Sequence, residues 1–176
     1  MTDRTARMSQ DLIEALETTT DPGVLWRRMN DAQAVIGFLG GNATDVRAYA
    51  LPDATPANGH SFTITGVGGG RYHARIDHCV EGSMVSYTVW REDVPNSSLQ
   101  LTYAIDTSRP QTMLTGALSM KMPLEELLAS FSIPGMLALP MVNRLVRHYA
   151  ARRLRRQLQM LAVQHSTSDE HAPRHQ

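Results

Sequence analysis

The sequence predicts an α+β protein in which a curved antiparallel sheet of six to seven strands wraps around one long C-terminal helix, with two short helices after the first strand. Two observations carry this. From Pro140 to about Val163, apolar residues recur at three- and four-residue spacing: Val142, Leu145, Val146, Tyr149, Ala150, Leu154, Leu158 and Leu161. That is one stripe of an amphipathic helix about 35 Å long. Before it, residues 44–122 break into runs of seven to twelve residues separated by turn chemistry, and connections this short join antiparallel strands rather than parallel ones.

The first segment, Met8 to Glu17, is rich in Met, Leu, Ala and Glu and has helix propensity, although Leu12, Glu14, Leu16 and Thr18 also alternate as a strand would. Thr20-Asp21-Pro22 marks a helix start, a capping oxygen followed by proline in the first turn. Val24, Leu25 and Met29 make that helix amphipathic. Asn30-Asp31 caps a second one carrying Val35, Ile36, Phe38 and Leu39, which Gly40-Gly41 ends. The strand runs are Thr44–Leu51, Ser61–Val67, Arg71–Val80, Ser83–Arg91, Ser98–Thr107 and Gln111–Met122, and Leu124–Leu128 adds a short helical turn. Residues 1–8 form a flexible start, 9–163 the single domain, and the polar, His- and Ser-rich 164–176 a disordered tail.

Side chains along a strand alternate between faces. In Arg71–Val80 the apolar face holds Tyr72, Ala74, Ile76, His78 and Val80, and in Ser98–Thr107 it holds Leu99, Leu101, Tyr103 and Ile105. Ser83–Arg91 is ambiguous, because Val85, Tyr87 and Val89 compete with Met84 and Trp90. Polar-tipped aromatics and adaptable methionines suit a pocket for an irregular apolar ligand. Met113, Met120, Met122, Met136 and Met141 gather where sheet hands over to helix.

The order of elements resembles the START/SRPBCC superfamily, the helix-grip fold of polyketide cyclase/dehydrase and lipid-transport proteins. The resemblance covers about residues 9–163 and rests on that order, on Asp21-Pro22-Gly23-Val24-Leu25-Trp26 and on the Arg-rich Met141–Leu161 helix. It implies that residues 10–18 form the first strand, against their helix propensity. Many members place a Trp after the second small helix; here Ala34 to Gly41 contains none, so no subfamily's ligand is carried over. The superfamily has no universal catalytic residues, and none is transferred.

What the resemblance implies is an internal cavity binding a polyketide-like or lipid-like molecule, where folding a reactive chain in a dry pocket can support cofactor-free cyclisation or dehydration. The candidate proton-transfer groups are His78, Tyr103 and Tyr72; those shaping the ligand are Phe62, Ile76, Trp90, Leu101, Met113, Met136, Met141 and Tyr149. Two alternatives stand beside this: a non-catalytic carrier, and an antitoxin-type protein whose helix arginines bind RNA or a protein partner. A homodimer is compatible with any of them.

Composition narrows the field. Seventeen Lys plus Arg balance seventeen Asp plus Glu, so no global field draws the chain to nucleic acid. A single Cys79 excludes an internal disulfide framework. The most apolar run, Ile133 to Val142, is broken by two prolines and is too short to span a bilayer, which together with reduced cysteine chemistry points to a cytoplasmic protein. No metal or cofactor motif is present: Gly66-Val67-Gly68-Gly69-Gly70 lies between strands and does not open a helix, and His171 and His175 sit in the tail. Arg144, Arg147, Arg152, Arg153, Arg155 and Arg156 make the helix's second face strongly basic.

Overall fold

Twelve consecutive residue pairs tie the first strand to the last, and that pairing sets the whole topology. The computed structural model describes residues 7–39, 47–48, 58–65, 71–94, 97–123 and 139–163. Its strands are β1 (Arg7–Thr18), β2 (Arg47–Ala48), β3 (Ser61–Thr65), β4 (Arg71–Val80), β5 (Met84–Arg91), β6 (Ser98–Asp106) and β7 (Thr112–Pro123). They form one antiparallel sheet in the order β1-β7-β6-β5-β4-β3-β2. The helices are α1 (Pro22–Met29), α2 (Ala32–Leu39) and α3 (Leu139–Ala162). Residues 8–17 are therefore strand: cross-strand hydrogen bonds and packing outweigh a helix preference of a few tenths of a kcal/mol per residue.

Cross-strand register stacks the inward side chains in rows across the sheet. One row runs Phe62, Ala74, Val89, Leu99 and Met120. The next runs Ile76, Tyr87, Leu101, Leu118 and Leu12, and the third Cys79, Val85, Tyr103, Gly116 and Glu14. This resolves the ambiguous Ser83–Arg91 strand and sets the faces of β7: Val85, Tyr87 and Val89 are buried, as are Leu114, Gly116 and Leu118, whereas Trp90 and Met113 point to the other face.

The C-terminal half of α3 lies across the third row. A β-carbon added at Gly116 would come within 2.9 Å of Leu154 Cδ1 and 3.1 Å of Leu158 Cδ2, so glycine lets both leucines settle on the strand without shifting. Arg155 reaches Glu14 on β1 at 3.0 Å, and Thr20, just beyond β1, donates its hydroxyl to the Ala162 carbonyl at 2.6 Å. These two contacts orient α3 parallel to β1. Its last carbonyls, which a helix leaves unpaired, also accept from Arg28 Nη1, at 2.6 Å for Leu161 and 2.7 Å for Val163. Asp21 caps α1 by accepting from the Val24 amide at 3.1 Å, with Pro22 in the first turn.

The stripe anticipated on α3 is narrower than its eight members. Ala150, Leu154, Leu158 and Leu161 are buried together with Gln157, whereas Leu145 and Tyr149 lie on the opposite side and are exposed. Both stripes have helical spacing; the side the sheet selects is set by the Gly116 seat. Replacing Gly116 by Val should cost roughly 1–3 kcal/mol through overpacking against Leu154 and Leu158. A lowered urea midpoint with unchanged slope checks this, and an unchanged midpoint would contradict the seat.

Candidate functional site

The interior divides into a sealed end and an open end. At the sealed end, two tyrosines rise from the sheet to the carbonyls of the short helices. Tyr87 Oη donates to the Met29 carbonyl at 2.6 Å, where α1 ends and that oxygen has no helical partner. Tyr103 Oη donates to the Ala34 carbonyl in α2 at 3.1 Å, and Gln157 Nε2 of α3 donates to the same oxygen at 3.1 Å. Phe62 packs edge-on against Tyr87 with ring centroids 6.3 Å apart. Leu25, Met29, Ile36, Ile76, Leu101 and Leu118 fill the space between.

Burial falls away toward the other end. Tyr72, Leu99 and Met120 are inward-facing yet only half-buried, and the Arg91 guanidinium lies 5.6 Å from the Tyr72 ring centroid. Because α3 runs parallel to β1, whose N-terminal part pairs with Met120, its N-terminal half heads toward this end, and its inner side passes from buried Ala150 to half-buried Val146.

His78 is not where strand alternation puts it. The register of β4 against β5 shifts between Ile76, opposite Tyr87, and His78, opposite Ser86, leaving Asp77 as an extra residue. Asp77 is held by Arg75 Nε at 2.8 Å and by the Thr88 hydroxyl. Beyond this bulge the faces exchange: Cys79 turns in against the core, while His78 and Val80 turn out and are exposed. Burial, then the nearby Glu81, raises the Cys79 thiol pKa, so this half-buried thiol stays protonated.

The other expected site residues scatter. Tyr103, Ile76, Leu101 and Phe62 belong to the packed core, whereas Tyr72 stands at the open end. Trp90 lies on the outer face, stacked on His73 with centroids 5.5 Å apart, beside a cleft of about 440 Å³ that Thr88, Glu92, Val94 and Ser98 also line. Met113 pairs across from Asp106 and Glu17 on that outer face, so the methionine group is split between the two sides of the sheet. Tyr149 is on the outer side of α3. Met136, Leu124–Leu128, Gly66–Gly70 and the tail lie outside the described residues, as does the side chain of Met141. Sequence reasoning missed Tyr87 and Gln157 as the polar ties of the core; Leu99, which it put on the inward face, and Met120, which it put in the methionine group, are the partly exposed inner surface. Among the described residues there is no cluster of three or more potential metal ligands, and no helix is long and apolar enough to cross a membrane.

No known family model matches the sequence, and no curated protein matches it. Solved structures do. Protein MLL2253 from Mesorhizobium loti is 17% identical with a TM-score of 0.55, the match covering 86% of this chain and 96% of that one. Protein CV1439 from Chromobacterium violaceum is 15% identical at a TM-score of 0.53, covering 86% and 94%. Norcoclaurine synthase from Thalictrum flavum in complex with dopamine and hydroxybenzaldehyde is 11% identical at 0.50, covering 84% and 91%. The chain thus has the helix-grip fold of START/SRPBCC and Bet v1-like proteins.

Burial pushes the phenol pKa of both Tyr87 and Tyr103 well up; nearby Cys79 and Asp31 add to this for Tyr87, and Tyr87 adds to it for Tyr103. Folded-state values above the unfolded value of about 10 mean that their contribution to stability is intact below about pH 10 and is lost as pH climbs toward the raised values. In an alkaline titration followed at 295 nm, Tyr87 and Tyr103 should ionise only together with cooperative unfolding; their smooth titration in the folded protein would contradict the core described. Tyr87→Phe should cost about 1–3 kcal/mol by stranding the Met29 carbonyl. Tyr103→Phe should cost less, because Gln157 keeps the Ala34 carbonyl paired, and denaturation midpoints compare the two.

Proposed function

We propose that the protein binds a hydrophobic small molecule, polyketide-like or lipid-like, between the open end of the concave sheet face and the N-terminal half of α3. The observation that carries this reading is the partial exposure of Tyr72, Leu99 and Met120. Leu99 and Met120 are inward-facing apolar side chains in register with buried Ala74 and Val89, and Tyr72, paired with buried Ile64, faces in beside Arg91. Apolar surface of this kind, concave and bordering a core, is what a greasy guest covers at about 25 cal/mol per Å². Norcoclaurine synthase, which shares the fold, was solved with dopamine and hydroxybenzaldehyde, and this supports a guest for the present chain.

Carriage fits the described interior better than catalysis. Cofactor-free cyclisation or dehydration needs a group that can exchange a proton with the ligand. The hydroxyls of Tyr87 and Tyr103 are committed to backbone carbonyls and held protonated by burial, and His78 faces water. Glu14 on the inner face is tied to Arg155. Tyr72 is the titratable candidate left at the open end, placed to orient a polar tip of the ligand.

Titration with the apolar dye 1-anilinonaphthalene-8-sulfonate tests the site. The folded protein should bind it saturably, and Leu99→Trp combined with Met120→Trp should weaken binding about tenfold or more by filling the space, the equivalent of about 1.4 kcal/mol. His78→Ala should leave binding unchanged. Dye binding untouched by the two tryptophans, or absent from the native protein, would remove the site. Native mass spectrometry of freshly purified protein should show an apolar guest that Tyr72→Phe retains.

A further inference from the structure

We propose that the outward side of α3 docks on an anionic bilayer surface. The 24-residue helix carries six arginines and no Asp or Glu. The chain's net charge is nonetheless zero, so the positive charge is concentrated here: elsewhere eleven basic residues stand against seventeen acidic ones. Of the six arginines, Arg155 is paired with Glu14, and Arg153 is drawn to the rings of Phe38 and Tyr149, each 6.0 Å away. Arg144, Arg147, Arg152 and Arg156 are exposed and make no ion pair among the described residues.

Charge alone would leave a solvated face as sufficient explanation. The second observation is what accompanies it. Helical spacing aligns Leu145, Tyr149, Arg152, Arg156, Met160 and Val163 along one outer ridge. Its four apolar members are 59%, 63%, 51% and 52% exposed, in sequence order. They account for four of the six large hydrophobic side chains exposed among the described residues. A nucleic-acid face has use for arginines but little for Leu, Met and Val. A membrane interface uses both: alkyl and aromatic groups enter the boundary between headgroups and acyl chains, while guanidinium groups fork onto phosphates and lie along the plane above. The ridge is too polar to insert across a membrane, so the contact is peripheral. It lies on the side of α3 opposite Ala150, Leu154 and Leu158, which face the sheet, so docking leaves the helix seated.

The test is co-sedimentation of the full chain with phosphatidylcholine vesicles, with and without phosphatidylglycerol, at low and high salt. The protein should partition onto the anionic vesicles and be released by salt. Arg152→Gln with Arg156→Gln should weaken partitioning about thirty-fold, at roughly 1 kcal/mol per arginine near such a surface. Leu145→Gln with Tyr149→Gln should weaken it at unchanged charge. Leu99→Trp with Met120→Trp should leave it intact, which separates this surface from the ligand site. Equal binding to neutral vesicles, no vesicle binding, or unchanged binding after the arginine replacements would overturn the proposal. So would binding to single-stranded RNA by a protein that ignores phosphatidylglycerol, since that assigns the ridge to nucleic acid. The lipid and salt dependence of the unaltered protein decides the matter even if a variant fails to fold.

Discussion

Everything else in this molecule is arranged around the place where Leu154 and Leu158 rest on Gly116. A sheet backbone and a helix approach closely where the strand carries no side chain, and β7 offers that gap at Gly116, between buried Leu114 and Leu118. The seat fixes which stripe of α3 turns inward. It brings Gln157 to the carbonyl of α2, Arg155 to the carboxylate of β1, and the end of the helix to Thr20 and Arg28. The last helix is thereby tied to the first strand and the first helix, closing the two ends of the chain onto each other.

A helix seated at one end cannot cover the whole of a curved sheet. The same contact that seals Tyr87, Tyr103 and Leu101 leaves Tyr72, Leu99 and Met120 partly uncovered at the other end. Chemistry follows that division. The sealed end holds polar groups, but each tyrosine hydroxyl there already donates to a backbone carbonyl, and displacing that of Tyr87 would strand a buried acceptor at about 1–3 kcal/mol. The open end offers area and shape with few polar handles, which suits recognition of an apolar body more than proton transfer.

The outer surface carries a second division, in charge. Six arginines on α3 with no acid among them make one helix positive in a molecule that is neutral overall. At an ionic strength near physiological, a field of this kind is felt within about 8 Å, so it matters only to something that touches the helix. The exposed apolar ridge between the arginines says what kind of surface that is.

Much of this was legible in the sequence. Turn residues and period-two alternation located β3 to β7 to within one or two residues, because short antiparallel connections must be written in glycine, proline and asparagine. Asp21-Pro22 placed α1, because capping is a local matter. Residues 8–17 defeated local propensity, and the fold's element order corrected it, since a strand paired along twelve positions overrides a weak preference. The functional residues were harder. One inserted residue, Asp77, exchanged the faces of β4 and moved His78 from the interior to water; no sequence period signals a bulge held by Arg75 of the same strand and Thr88 of the neighbouring one. Tyr72 and Tyr103 look alike in sequence, but only one meets a helix carbonyl. What the sequence by itself determined, then, is which segments form strands and helices and that α3 has both apolar and basic sides. Which side faces in, and which inner residues remain uncovered, was decided by where a glycine permits close approach, a contact between residues some forty positions apart that exists only once the sheet has formed.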